Sequence, residues 1–154
     1  MNNASTSTCT PTIVIHVKPA DFAVNPPPAS VTYTIPAISV GQPGCVKLLS
    51  NTSIGVGTKS NLPLNFSIEV LDPTNTDVYT PVGISFTSPN LPSNLTLVDF
   101  PTASITRSGT LLKFTDMCFT PSASFKFVLV IQNLAYQLAI LDPNVIHDPA
   151  YGME

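Results

Sequence analysis

Formal charge is scarce in this chain, which has six basic and nine acidic side chains in 154 residues and a net charge of −3. So small and scattered a basic complement cannot displace counterions from phosphates, which excludes nucleic acid and an anionic membrane surface as expected partners. Tryptophan is absent. Its absence removes the best stacking platform for sugars, leaving only Tyr79, Tyr136 and Tyr151 as rim aromatics, and it removes the Cys…Trp…Cys marker of antibody domains. No uninterrupted apolar run reaches transmembrane length. The opening residues, Met1 to Pro11, have neither the cationic start nor the apolar run of a signal peptide, so a cytoplasmic protein is expected unless a leader has been removed. Three cysteines, Cys9, Cys45 and Cys118, are an odd number at wide spacing. At most one pair can bridge.

Proline, by contrast, is plentiful, with 16 residues falling between short runs of Val, Ile, Leu, Phe and Thr. Proline lacks the N–H that a helix interior or a central strand needs, so it collects in connections and at edges and cuts the chain into pieces of strand length. The composition predicts an all-β domain, with a two-layer antiparallel β-sandwich of immunoglobulin-like topology preferred and a jelly roll as the alternative. Residues 12–142 form the expected domain. Residues 1–11 are expected as a disordered polar lead-in without an apolar anchor, and 143–154 as an extended tail.

Period-two alternation marks the strands. Thr12 to Lys18 sets Ile13, Ile15 and Val17 on one face, and Asn65 to Asp72 does the same with Phe66, Ile68 and Val70. Further strands are expected at Val31 to Ile35, Cys45 to Leu49, Val82 to Thr87, Leu95 to Asp99, Phe125 to Gln132 and Tyr136 to Leu141. Ser104 to Arg107 and Thr110 to Thr115, joined through Ser108-Gly109, make the clearest hairpin. The run Pro26-Pro27-Pro28 reads as a stiff connection, and Ser50 to Pro63, with two glycines, as the longest loop. Four Asn-x-Ser/Thr matches, at Asn3, Asn51, Asn65 and Asn94, are what chance supplies in a chain this rich in hydroxyls.

Chemistry-bearing patterns are few. Two similar acidic turns follow predicted strands, and if those strands lie together Asp72, Asn75, Asp77, Asp142, Asn144 and Asp148 supply the six oxygen ligands a calcium ion takes. The ordinary reading of each is an Asp-Pro turn, since the spacing matches no defined calcium loop. Cys118 and Asp116 can join His16 or His147 as nucleophile, orienter and base, against the reading of Cys118 as a small buried apolar residue. The histidines and cysteines are zinc-ligand types, but no two stand at the close spacing of structural sites. Glycoside hydrolysis would draw on Glu69, Asp72, Asp77, Asp99, Asp116 or Asp142, and nothing singles out two.

By elimination, the sequence points to a non-enzymatic module that acts through protein–protein contacts, self-associating or serving as an assembly subunit, with no required cofactor. A homo-oligomer would form by edge pairing of Thr12 to Lys18 or of the tail. The alternatives are a calcium- or small-ligand-binding module on the acidic loops, and an enzyme using Cys118.

Overall fold

In the computed structural model the described residues are 9–17, 29–30, 33–39, 45–58, 63–72 and 78–150. The strands are β1 (Thr12–Val17), β2 (Ala29–Ser30), β3 (Tyr33–Ser39), β4 (Val46–Ser50), β5 (Ser53–Gly57), β6 (Leu64–Leu71), β7 (Val78–Thr87), β8 (Thr106–Ser108), β9 (Leu111–Asp116), β10 (Ser124–Gln132), β11 (Leu138–Leu141) and β12 (Asn144–Asp148). Among the described residues one short α-helix, α1 (Ser93–Asp99), and a 3-10 turn, Thr102–Ser104, lie between β7 and β8. No helix among the described residues is long and apolar enough to cross a membrane.

The two-layer antiparallel sandwich, immunoglobulin-like or jelly roll, is not what forms. The strands make one mixed sheet in the order β3-β1-β6-β7-β10-β12-β5-β4, which curls into a nearly closed barrel. Its continuity comes from β7, a ten-residue strand whose first residues pair with β6 and whose remainder runs along β10. A sandwich needs two separate sheets, and β7 belongs to both halves. Two of the barrel pairs, β1 with β6 and β12 with β5, are parallel. The β11–β2 pair and the β8–β9 hairpin branch off this path.

Closure brings the two ends of the sheet to one seam. The Ile35 N–H in β3 donates to the Asn51 carbonyl in the β4–β5 turn at 2.7 Å. A disulfide between Cys9, just before β1, and Cys45, just before β4, ties the same two sides covalently. Pro36, expected to end its strand, sits inside β3, where an edge position tolerates a missing N–H and the β1–β3 register shifts beside it.

The alternation read from sequence holds in β1 and β6, whose Ile13, Ile15, Val17, Phe66, Ile68 and Val70 are buried. The hairpin also forms, its two-residue turn being Gly109-Thr110 with Gly109 at φ +60°. Three segments differ. The expected Ser50–Pro63 loop contains β5, which runs between β12 and β4. Of its two glycines, Gly55 has little room for a side chain, since a Cβ there would stand 3.2 Å from the Leu49 side chain. The expected tail supplies β12, held between β10 and β5. Leu95 to Asp99, expected as a strand, is α1, for a reason given below.

Phenylalanines fill the barrel. Phe66 stacks on Phe114 at 5.1 Å and Phe86 on Phe100 at 4.4 Å, with Phe125 edge-on to Phe100 and Phe127 tilted against Phe86. Beside this apolar core lies a group of buried polar residues, Asp99, Asp116 and His147, beneath the connection from β9 to β10.

Candidate functional site

The site is built by β9 running out of strand. Its last residue, Asp116, turns a carboxylate oxygen, Oδ1, onto the N–H of Cys118 at 3.0 Å, so an aspartate caps the turn that it begins. Cys118 follows with φ +57°, a conformation few residues other than glycine adopt. Two residues of α1's last turn face inward, Thr96 and Asp99. The Asp99 carbonyl accepts the Met117 N–H at 2.7 Å, and its Oδ1 accepts the N–H groups of Phe119 at 2.6 Å and Thr120 at 3.0 Å. From the other side, His147 on β12 sets Nδ1 at 2.6 Å from the Thr120 carbonyl and Nε2 at 2.6 Å from Asp116 Oδ2. The His147 N–H donates to the Ala123 carbonyl, and Thr58 Oγ1 donates to the Pro121 carbonyl. Residues 116–123 are thereby fastened to α1, to β12 and to the end of β5.

This network explains α1. The side of the helix against the barrel carries Thr96, whose hydroxyl donates back to the Pro92 carbonyl, and Asp99, whose carboxylate accepts the Phe119 and Thr120 N–H groups. The apolar residues consequently face out. Leu95, Leu97 and Val98 are 45%, 42% and 47% exposed, and Phe119, next to the helix C-terminus through its bond to Asp99, is 58% exposed.

Proton bookkeeping follows from the acceptors. A main-chain carbonyl can only accept, so Nδ1 of His147 carries hydrogen. Across the 2.6 Å gap from Nε2 to Asp116 Oδ2 there is room for one more proton, held as imidazolium and carboxylate or as imidazole and carboxylic acid. Both side chains are fully buried. Burial pushes the His147 imidazolium down, but the hydrogen bond and charge of Asp116, the Thr120 carbonyl and the Asp99 charge outweigh it, so the ring keeps its proton above the ordinary 6.5. Burial pushes the Asp116 carboxyl up, against the opposing pull of His147. The two titrate as a unit that retains the shared proton. Asp99 Oδ2 is buried without a hydrogen-bond partner, and its charge favours the cationic ring.

As chemistry, the cluster is closed. Cys118 Sγ lies within 4.8 Å of the carboxylate and imidazole atoms, yet both ring nitrogens are engaged elsewhere and neither serves the thiol as base. Burial and the Asp116 charge push that thiol up, away from the thiolate a nucleophile needs. His16 cannot stand in, because the β6 register sets it beside Leu71 and Asp116 beside Leu64, at opposite ends of one strand. Asp116, Cys118 and His147 are a zinc-type set, and the donor geometry tests the fit. Two ligands roughly 2.0 Å from one tetrahedral zinc stand more than about 3 Å apart. The 2.6 Å spacing of Nε2 and Oδ2 suits a proton instead. Asp99 and Asp116, two of the carboxylates considered for glycoside hydrolysis, do come together, but fully buried.

The described calcium candidates are dispersed. Asp72 is buried at the end of β6, beside the start of β7, whereas Asn144 is level with Lys126 and so with Thr87 at the other end of β7. Asp142 accepts the Tyr33 hydroxyl at 3.2 Å and pairs with Lys126 at 3.5 Å, and Asn144 reaches Ser53 Oγ. Asp148 Oδ1 accepts the Ala150 N–H. Asn75 and Asp77 lie outside the described residues, as does Tyr151. Tyr79 is buried and Tyr136 exposed.

Asp99 was visible in sequence only as one carboxylate among several, since its role depends on α1. The Asp116 turn carries a local signal, an aspartate two residues ahead of the N–H it caps. The partnership with His147 spans 31 residues and had none.

The sequence matches no family model, and no curated protein is found similar to it. Among solved structures, the crystal structure of inclusion body protein PixA from Burkholderia cenocepacia is similar over 95% of this chain and 99% of that one, with 8% identity and a TM-score of 0.48. A likeness of that grade carries no argument about function.

Proposed function

We propose that the protein is a non-enzymatic β-barrel module that acts through protein–protein contacts, with a second copy of the chain as its partner. The observation that carries this reading is the inverted helix, which turns Thr96 and Asp99 inward, Asp99 onto the turn at Phe119 and Thr120, and turns Leu95, Leu97 and Val98 to solvent beside Phe119. An apolar cluster of this kind on a charge-poor surface meets little electrostatic resistance to association. The strands first considered for edge pairing support it less. β1 lies between β3 and β6, and β12 between β10 and β5, so both already have neighbours on each side. Self-association through one patch would be isologous, α1 meeting α1 about a twofold axis.

Light scattering on a sizing column over a tenfold concentration range tests the reading. The wild-type mass is expected to exceed the 16.3 kDa of one chain and to rise with concentration, and Leu95→Glu/Val98→Glu is expected to return it to that of one chain. A wild type that stays at one chain, or a double variant that associates as before, contradicts it.

A further inference from the structure

We propose that Asp116 and His147 form a proton-operated latch over the Cys118 thiol, shut while the two side chains share a proton and opened when that proton is lost. Three observations converge on this device. The segment 116–123 is held down by two main-chain hydrogen bonds, Met117 N–H to the Asp99 carbonyl and His147 N–H to the Ala123 carbonyl, and otherwise by hydrogen bonds that end on a few side chains, those of Asp99, Asp116, His147 and Thr58. The Asp116–His147 contact within that set closes only with a proton in it, because an imidazole lone pair and a carboxylate cannot face each other at 2.6 Å. And the segment contains Cys118, fully buried, with positive φ, and the free thiol of a chain whose other two cysteines are joined.

Every group facing the ring bears on the sign. Asp116 approaches from β9 and Asp99 from α1, both favouring the cation, and Cys118 from the turn is held neutral by burial. Phe100 and Phe125 pack on the ring and do not titrate. In the opened segment His147 meets water and titrates near its ordinary 6.5. Opening therefore releases one proton at any pH above that value and below the point where the closed pair titrates. In that window the opening constant rises tenfold per pH unit. The mechanism depends on the latch alone and stands whether or not the helix face associates.

Cys118 itself is the reporter. Its alkylation by iodoacetamide is measured between pH 6 and 8.5 and divided at each pH by the rate of a small free thiol, which removes the ordinary thiolate dependence. The normalised wild-type rate is expected to be flat near pH 6 and to climb up to tenfold per pH unit above 6.5. Asp116→Asn provides the comparison. Its amide oxygen can still accept the Cys118 N–H and its amide nitrogen can donate to Nε2 of a neutral ring, so the contact closes without the extra proton. In this variant the climb is expected to disappear. A flat wild-type profile overturns the latch, as does a climb of equal slope in Asp116→Asn. A wild-type labelling rate that steepens in dilute urea as much as equilibrium unfolding does also overturns it, since the thiol would then be reached only by global unfolding.

Discussion

Replacing Cys45 by serine is expected to lower stability by about 4 kcal/mol, the chain-entropy value for a crosslink closing a loop of this length. The bridge joins residues 36 apart in sequence. Its position is what makes the loss consequential. Cys9 leads into β1 and Cys45 into β4, on the two sides of the barrel seam, where the Ile35–Asn51 hydrogen bond joins β3 to the β4–β5 turn. For a chain of this size each kcal/mol is worth about 2–4 °C, so the midpoint of thermal unfolding should fall by about 8–16 °C. Reduced wild type should melt with the variant. A midpoint moved by less than about 3 °C would mean that strand pairing alone holds the seam.

His147→Ala should cost about as much, for a different reason. Truncation leaves the Asp116 carboxylate fully buried with its Oδ2 facing a void, and removing one partner of a buried pair costs about 3–5 kcal/mol. It also deprives the Thr120 carbonyl of its donor and the rings of Phe100 and Phe125 of a neighbour. The comparison with Asp116→Asn is what isolates the charge. That variant keeps the shape and, with a neutral ring, every hydrogen bond, so near neutral pH it should lose far less than His147→Ala. Equal losses from both, read from urea unfolding, would mean that the pair matters for packing and not for its charge and hydrogen bonds.

What the sequence could reveal divides along local and long-range lines. β1 and β6 were legible because an alternation of Ile, Val and Phe with polar residues buries one face whatever lies next to it. The Gly109 turn was legible because positive φ has a sequence price. The barrel was not, since nothing local distinguishes β7 serving two neighbours from two strands in separate sheets. β5 was hidden by Gly55 and Gly57, which read as breakers until Leu49 is seen to occupy the space above the first. α1 was hidden by the Leu-Thr-Leu alternation, overridden by two backbone N–H groups that needed Asp99. In the site, Asp116, Cys118 and His147 each stand out in the sequence, and the carboxylate does meet the imidazole, but the expected link from imidazole to thiol is missing. The imidazole serves the carboxylate and a carbonyl, not the thiol.

The shared proton is the centre of this account, and wild-type stability against pH measures it directly. A pair whose folded-state proton is held above the imidazole's ordinary 6.5 contributes fully below that pH and progressively less above it, until the folded pair itself titrates. Stability from urea unfolding should therefore change little from about pH 5 to 6.5 and then fall by about 1.4 kcal/mol per pH unit towards pH 8.5. In Asp116→Asn the neutral ring is the one the fold requires, so the slope should reverse and stability should fall below pH 6.5. A wild type whose stability is flat or rises between pH 6.5 and 8.5 would contradict the shared proton.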